Sequence, residues 1–216
     1  MSIATPSLNR LPAAERGLTI ADFLVPNVLA ERIGIRPRHI ALIVLGTLLI
    51  ALCAQIRIPV PGSPIPVTGQ TFGVLLVGGA LGASRGVTSI GLYVLLGVVG
   101  LPVFTNGGHG IEVIFGASGG YLIGFIVAGA IVGRLAELGW DRRLIGALGA
   151  MLIGNISIYL IGVPWLMAVT GASLATAIAQ GVTPFIVGDI VKLLLAGAAF
   201  PFAWWLVGRR PGDEDD

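Results

Sequence analysis

The amino-acid sequence predicts an all-α membrane protein, a bundle of six transmembrane helices with both termini on the cytoplasmic side. The first observation is composition: of the 216 residues, 55% are hydrophobic and only 11% are charged, and the mean hydropathy is +0.94. A soluble globular domain carries about 25% charged residues. The second observation is a series of separate apolar stretches, and the third is the uneven placement of arginines between them. This composition excludes a soluble enzyme, a disordered chain and a nucleic-acid-binding domain.

The predicted spans are stretches that approach the roughly 20 apolar residues needed to cross a bilayer. Residues 1–38 are polar and lack the apolar core of a signal peptide, so they are interpreted as a cytoplasmic tail with an amphipathic stretch near Ile20–Leu29. Residues 39–207 form the transmembrane domain, with a tight turn at Arg85–Gly86, and residues 208–216 form a second cytoplasmic tail. The predicted spans are His39–Ile58, Thr68–Ala83, Gly86–Gly100, Gly120–Leu138, Leu144–Gly162 and Pro184–Val207.

Arginines lie almost entirely on one side of this predicted bundle. Eleven of the twelve fall in the two tails or in the turns around Arg85 and 134–143, whereas the other side carries Arg57 alone. Basic residues are enriched in cytoplasmic segments. The sequence therefore predicts a multi-pass protein of the cytoplasmic (inner) membrane with both termini in the cytoplasm.

The three connections on the predicted outer side are long and almost uncharged. The first, Pro59–Val67, contains four prolines and is therefore stiff and non-helical. The second, Leu101–Gly119, is rich in glycine, and the third, Val163–Val182, contains a tryptophan and a short helical stretch. Short inner turns combined with long outer loops indicate a ligand site near the outer face, although long loops without a site are the alternative.

Asp189 and Lys192 are the strongest candidates for a functional role, because both lie inside the sixth span. An ionisable side chain in a span costs about 2.5–3.5 kcal/mol on insertion scales. Their spacing places both on one helix face. A structural pair that neutralises itself is the alternative. As a functional pair, an acceptor-only carboxylate and a cationic donor suit a ligand with an N–H end and an anionic end.

Other polar residues near the outer face are further candidates. Gln70 begins the second span, and Asn155 lies within the fifth span with Tyr159 on the same face. Asn106 and His109 lie in the glycine-rich loop. Each has a structural alternative: an interhelical hydrogen bond for Asn155 and a solvated loop tip for the two loop residues.

Several catalytic motifs are absent or incomplete. Gly116-Ala-Ser-Gly-Gly120 fits the G-x-S-x-G pattern of serine hydrolases. A nucleophilic serine needs a nearby base, and in intramembrane serine proteases this base is a histidine that follows the serine in the chain. Both histidines of this sequence, His39 and His109, precede Ser118. We interpret the motif as a helix N-terminus capped by Ser118. A single lysine excludes a phosphate-binding P-loop, and a single cysteine, Cys53, excludes an internal disulfide. No cofactor or metal is expected.

Five segments, in this order, resemble the BioY family. They are Ile58-Pro-Val-Pro-Gly-Ser-Pro-Ile-Pro-Val-Thr-Gly-Gln-Thr71, Gly100-Leu-Pro-Val-Phe104, Ser118-Gly-Gly-Tyr-Leu-Ile-Gly124, Gly162-Val-Pro-Trp165 and Gly188-Asp-Ile-Val-Lys192. Members of this family are the biotin-binding S components of energy-coupling-factor (ECF) transporters. The resemblance spans about residues 39–207, nearly the whole chain apart from its tails.

The resemblance implies a six-helix S-component fold that binds biotin near the outer face, below the loops. The family's Asp and Lys of the sixth helix match Asp189 and Lys192. Some relatives carry an Arg after the Tyr of the Ser-Gly-Gly-Tyr motif, whereas the residue here is Leu122. This difference favours Lys192 as the partner of the biotin carboxylate. The candidate substrate-binding residues are Asp189, Lys192, Asn106, His109, Tyr121, Gln70, Asn155 and Trp165.

The resemblance also implies partners, namely a transmembrane T component and two ATPase subunits within the lipid membrane, and no nucleic acid. The Ala-x-x-x-Ala pattern of many S components has its nearest match in Thr47-x-x-x-Ala51. Because some family members work without the energising module, as homo-oligomers, it stays open whether this chain needs a T component and ATPase subunits. The predicted function is high-affinity biotin binding and uptake. The alternatives are uptake of another small vitamin or a biotin precursor, an intramembrane enzyme, and a small channel or structural bundle.

Overall fold

A computed structural model describes residues 19–24 and 35–206, and within these ranges the chain is mainly helical. The C-terminal tail, the remaining part of the N-terminal tail and the predicted amphipathic stretch beyond Leu24 lie outside the described residues. A short antiparallel hairpin pairs β1, Arg57–Ile58, with β2, Val67–Thr68. The helices are α1 Ile20–Leu24, α2 Ile35–Gln55, α3 Gln70–Val98, α4 Ile111–Phe115, α5 Gly119–Glu137, α6 Leu144–Thr170, α7 Leu174–Gly181 and α8 Ile186–Leu206, with 3₁₀ turns at Thr105–Gly107, Trp140–Arg142 and Thr183–Phe185.

Helix α3 reverses direction at Gly82, which has a φ of 81° and a ψ of 175°. The side chains of Gln70 and Tyr93 lie 2.5 Å apart, from Nε2 to the phenolic oxygen, although a continuous helix would separate them by about 34 Å. The two halves of α3 are therefore antiparallel neighbours. Glycine tolerates the positive φ, and Glu137 accepts the backbone N–H of Ala83 at 2.9 Å, which caps the start of the second half. The sequence predicted this turn at Arg85–Gly86, a few residues too late.

Five helical segments of the described residues are long and apolar enough to cross a membrane: Pro37–Gln55, Gln70–Val98, Gly119–Glu137, Leu144–Thr170 and Leu174–Leu206. The sequence predicted six spans. The counts differ because the predicted second and third spans are the two halves of α3, joined at Gly82. Large apolar side chains are exposed on the outside of several helices, including Leu52 at 68%, Leu160 at 71% and Val187 at 74%. A surface of this kind fits contact with lipid.

The predicted fifth span is longer than the sequence indicated. Helix α6 continues through Pro164 to Thr170, so that Trp165 lies in a helix and not in a loop. Proline is tolerated within membrane-spanning helices, and Pro164 is exposed on the surface of the bundle. The short helix expected in the third connection is α7, capped by Ser173, whose hydroxyl accepts the N–H of Thr176 at 3.3 Å.

Small residues allow the central helices to pack closely. A Cβ atom added to Gly78 of α3 would lie 3.1 Å from both the Cα and the carbonyl oxygen of Gly129 in α5. The same would hold for Gly124 of α5, where an added Cβ would lie 3.0 Å from the Cα of Ile158 in α6. Backbones that approach this closely gain van der Waals contact, which drives helix association in lipid.

The bundle has two ends that differ in charge. We call them the hairpin end, with β1 and β2, and the α1 end, with Ile20–Leu24. At the α1 end, Asp22 forms an ion pair with Arg85, Nη1 to Oδ1 2.7 Å. Burial alone would raise the pKa of Asp22. Hydrogen bonds from Arg85 and Thr19 and the charge of Arg85 outweigh this effect, so that the pKa of Asp22 lies below its ordinary value. This pair holds residues 19–24 against α3.

Candidate functional site

A cavity of about 220 Å³ lies at the hairpin end of the bundle. The hairpin, the loop around Thr105–Gly108, the first turns of α5, the middle of α6 and the turn before α8 surround it. It is too small for a macromolecule and suits a single small ligand. A mostly apolar enclosure with a few polar groups is the usual form of such a site.

Aromatic side chains form much of the wall. Phe104, Phe125 and Phe185 are all buried and line the cavity. Tyr121 and Tyr159 line it as well and meet edge to face, with ring centroids 6.3 Å apart and an interplanar angle of 89°. The Tyr121 hydroxyl donates to the carbonyl of Gly181 at 2.9 Å, which fixes this ring against the end of α7. This aromatic wall suits the flat apolar body of a ligand.

Gln70 connects the elements on the hairpin side of the cavity. Its Nε2 donates to the Tyr93 hydroxyl, and its Oε1 accepts from the hydroxyls of Thr68 at 3.0 Å and Thr105 at 2.9 Å. These contacts join β2, both halves of α3 and the Thr105–Gly107 turn. Gln70 lines the cavity, but its donor and acceptor already have protein partners, so its main effect is to position its neighbours.

Asp189 lies behind the wall at the deep side of the cavity, and it is 5% exposed. Its Oδ2 accepts hydrogen bonds from Asn155 Nδ2 at 3.0 Å and from the Tyr159 hydroxyl. Its Oδ1 lies 3.3 Å from the Lys192 ammonium. Asp189 and Lys192 are therefore paired with each other, and neither lines the cavity. The carboxylate instead orients two side chains that do.

This arrangement decides which atoms of Asn155 a ligand can meet. An amide presents an oxygen acceptor and an NH₂ donor, and the pairing with a carboxylate requires the NH₂ to face Asp189. Asn155 lines the cavity, and its amide oxygen makes no hydrogen bond within the part of the chain that the structure describes. The amide oxygen is therefore available to accept an N–H group from a ligand.

The proline-rich loop between β1 and β2 closes the cavity from the hairpin end. Ile65 and Pro66 of this loop line the cavity, and Ile65 is 6% exposed. The Ser63 hydroxyl donates to the carbonyl of Gln180 in α7 at 2.7 Å, which ties the loop across the cavity. The backbone N–H of Ile65 in turn donates to the Ser63 hydroxyl at 3.1 Å. The loop is therefore fastened to α7 at the hairpin end of the cavity.

The structure brings together half of the residues predicted from sequence. Gln70, Asn106, Tyr121 and Asn155 line the cavity, and Asp189 and Lys192 stand behind it. The remaining two predicted residues, His109 and Trp165, lie in the segments around the cavity and do not line it. His109 is exposed, with Nδ1 3.1 Å from the Gly107 carbonyl, and Trp165 donates to the Gly116 carbonyl at 3.0 Å, which holds the segment before α5.

Several residues that line the cavity were not predicted from the sequence. Thr68 and Thr71 flank Gln70 in the same motif, and Ser118, interpreted as a cap, makes no capping hydrogen bond and lines the cavity. Arg57 also lines it, although the sequence used that residue only to assign membrane orientation. Its place directly before the proline-rich loop was the available signal. Among the described residues, no group of three or more His, Cys, Asp or Glu side chains could hold a metal ion.

Comparison with known families and curated proteins gives consistent matches. A family model described as the BioY family matches residues 27–209. The biotin transporter BioY2 of Lactococcus lactis is 37% identical over 157 residues, covering 72% of this chain and 84% of that protein. The probable biotin transporter BioY of Pyrococcus horikoshii is 39% identical over 161 residues, covering 74% of this chain and 93% of that protein.

A solved structure is similar as well. The crystal structure at 2.1 Å of the S-component for biotin from an ECF-type ABC transporter superimposes with a TM-score of 0.72 and 27% sequence identity. The match covers 81% of this chain and 93% of that chain. The similarity therefore extends over almost the whole bundle.

Proposed function

The chain belongs to the BioY family, and from this membership we propose that it binds biotin with high affinity in the hairpin-end cavity and serves biotin uptake. It is a multi-pass membrane transport protein and not an enzyme. The single observation that carries the proposal is the family match along residues 27–209. The lining of the cavity supports it independently, because its chemistry suits the three parts of biotin.

Biotin has a ureido ring with two N–H donors, an apolar bicyclic body and a chain that ends in a carboxylate. The free amide oxygen of Asn155 can accept a ureido N–H. The rings of Tyr121, Tyr159 and Phe125 can pack against the bicycle. In such a site, burial of the apolar surface of the ligand provides affinity, and the few polar groups fix its orientation.

The remaining candidate residues hold the groups around the ligand in position. Asp189 and Lys192 fix the donor and acceptor directions of Asn155 and Tyr159. Gln70 holds the hairpin side, and Asn106 lines the cavity with a φ of 61°, which an asparagine tolerates better than most residues. We assign His109 and Trp165 supporting roles in the loops around the cavity.

The hairpin end faces the outside in our proposal, and both termini face the cytoplasm across the cytoplasmic membrane. The described arginines support this orientation, since Arg38, Arg85 and Arg134 lie at the α1 end and Arg57 at the hairpin end. The two antiparallel halves of α3 then count separately, which gives six crossing segments. We assign residues 39–207 to the substrate-binding domain and residues 1–38 and 208–216 to cytoplasmic tails.

The energy for uptake requires partners. The solved relative is the S-component of an ECF-type ABC transporter, and we infer that this chain likewise works with a transmembrane T component and ATPase subunits. A homo-oligomer in the lipid bilayer is the alternative assembly. Uptake of labelled biotin by cells that express the chain with and without the energising subunits distinguishes the two.

Equilibrium binding of radiolabelled biotin to the detergent-purified chain tests the function directly. We expect nanomolar-class affinity, which corresponds to about 12 kcal/mol. Unlabelled biotin should compete, and thiamine and riboflavin should not. Equal competition by either vitamin would contradict the proposal, and stronger competition by a biotin precursor would favour the precursor as the natural ligand.

A further inference from the structure

Arg57 occupies a distinctive position at the mouth of the cavity. It lies on β1 opposite Thr68, it is exposed, and its side chain lines the cavity. The guanidinium makes no hydrogen bond and no ion pair with any residue in the ranges 19–24 and 35–206. It therefore offers five N–H donors and a full positive charge to whatever enters the cavity.

Arg57 is also the only charged residue that lines the cavity within the described part of the chain. The charge of Lys192 is balanced by Asp189 at 3.3 Å, and neither side chain reaches the lining. Glu112 on α4 and His109 in the loop before it are exposed and do not line the cavity either. Leu122, which does, is apolar. An anionic group inside the cavity thus has one cationic partner.

The polar groups of the cavity are arranged by depth. Asn155 is buried on α6 beside Asp189, whereas Arg57 is exposed on the hairpin. The deep side presents an amide oxygen, which suits an N–H group, and the mouth presents a guanidinium, which suits a carboxylate. A ligand with an N–H end and a carboxylate end would therefore enter with the N–H end first.

We propose that Arg57 binds the carboxylate of the ligand at the mouth of the cavity and that this contact selects acids over their neutral analogues. The inference rests on the proposed function, because it takes biotin as the ligand. It replaces Lys192, the residue favoured from sequence, as the partner of the carboxylate. Arginine pairs with a carboxylate through two parallel hydrogen bonds, which fixes orientation as well as adding affinity.

The experiment compares biotin with biotinamide, in which a neutral carboxamide replaces the carboxylate. Equilibrium binding is measured for the purified full chain and for Arg57→Gln, Arg57→Lys and Arg134→Gln. Arg134 is the matched control, since its side chain is 67% exposed at the α1 end. We expect the unmodified chain to prefer biotin by about tenfold, the scale of a hydrogen-bonded charge pair at a partly exposed site.

Arg57→Gln should lose that preference by weakening biotin binding while biotinamide binding stays unchanged. Arg57→Lys should retain part of the preference, and Arg134→Gln all of it. A Gln variant that keeps the full preference for biotin overturns the role of Arg57 and leaves the proposed function intact. Equal loss of both ligands also overturns it, because Arg57 would then act through shape. Absence of biotin binding to the unmodified chain would refute the proposed function itself.

Discussion

A single buried carboxylate, Asp189, determines the hydrogen-bond directions on the deep side of the cavity. It accepts from Asn155 and Tyr159 and is neutralised by Lys192. A charge buried without a partner is costly, whereas a paired and hydrogen-bonded one is tolerated. The sequence identified both members of this pair from their cost in a membrane span. It could not show that Asp189 accepts hydrogen bonds from Asn155 and Tyr159, because that depends on how α6 packs against α8.

Removing either charge of the pair should weaken biotin binding. Asp189→Asn and Lys192→Met each leave the other charge unpaired, and we expect a loss of at least roughly 2 kcal/mol of binding free energy. The measurement is equilibrium biotin binding to purified variants. Asp141→Asn is the matched control, because Asp141 is another buried carboxylate, but it lies at the α1 end.

The double variant Asp189→Asn/Lys192→Met separates a role in binding from a role in folding alone. No lone charge remains in it, so we expect a well-folded protein that binds biotin poorly, because Asn155 and Tyr159 are no longer held. Near-normal affinity in a well-expressed double variant would show that the pair is purely structural.

Asp141 makes the stability of the α1 end depend on pH. Burial raises the pKa of Asp141 to about 6, although the Trp204 hydrogen bond at 2.8 Å and the charge of Arg142 act to lower it. The unfolded chain has a value near 3.9. Because the folded state holds this proton more tightly, the contribution of Asp141 to stability rises as pH falls from above 6 towards 4.

We therefore expect the melting temperature of the unmodified chain to increase relative to that of Asp141→Asn when the pH is lowered from 7 to 5. The change corresponds to about 3 kcal/mol when fully developed, and roughly half of it develops between pH 7 and pH 5. Asp22 does not interfere in this range, because its pKa lies below its ordinary value. Thermal unfolding in detergent at several pH values provides the measurement, and parallel curves for the two proteins would contradict the assignment.

At the scale of elements, sequence patterns located the helices better than the breaks between them. Hydropathy predicted the ranges of α5 and α8 to within two residues, because each is one apolar stretch between polar residues. The predicted first span, His39–Ile58, is shifted against α2, because the helix begins at Ile35 and ends at Gln55, and Arg57 and Ile58 form β1. The turn within α3 was placed at Arg85, the only charged residue nearby. The structure turns at Gly82 because Glu137, more than fifty positions later in the chain, accepts the N–H of Ala83. A cap supplied by a distant helix leaves no local signal.

Gly82→Ala should destabilise the bundle, whereas Gly91→Ala should not. Gly82 has a positive φ, and a Cβ atom there would lie 2.8 Å from the Glu137 carboxylate. We expect a loss of about 1–3 kcal/mol from the backbone conformation alone. Gly91 lies in the helical second half of α3, and a Cβ there meets nothing within 4 Å, so alanine should be neutral or mildly stabilising. Thermal unfolding of both variants tests the turn, and equal melting temperatures would contradict it.

At the scale of the whole molecule, composition and arginine placement predicted a helical membrane protein, and the motif resemblance to the BioY family is confirmed by the family match. The lining of the cavity was only partly predictable. Thr68, Ser118 and Phe185 come from three separate segments that only the folded bundle brings together. Arg57 was assigned to topology, although its place directly before the proline-rich loop pointed to the cavity. Its contact with the cavity follows from the pairing of β1 with β2.

The orientation of the bundle is the remaining whole-molecule prediction. Replacing Cys53, which is buried and the only cysteine, by alanine gives a background in which single cysteines can be introduced. Pro61 and His109 are exposed at the hairpin end, and Arg134 is exposed at the α1 end. The arginine asymmetry predicts that the hairpin end faces the outside. A thiol reagent that cannot cross membranes should therefore label Pro61→Cys and His109→Cys in intact cells, and Arg134→Cys only after the membrane is opened. Labelling of Arg134→Cys in sealed cells would reverse the orientation and place the ligand entrance on the cytoplasmic side.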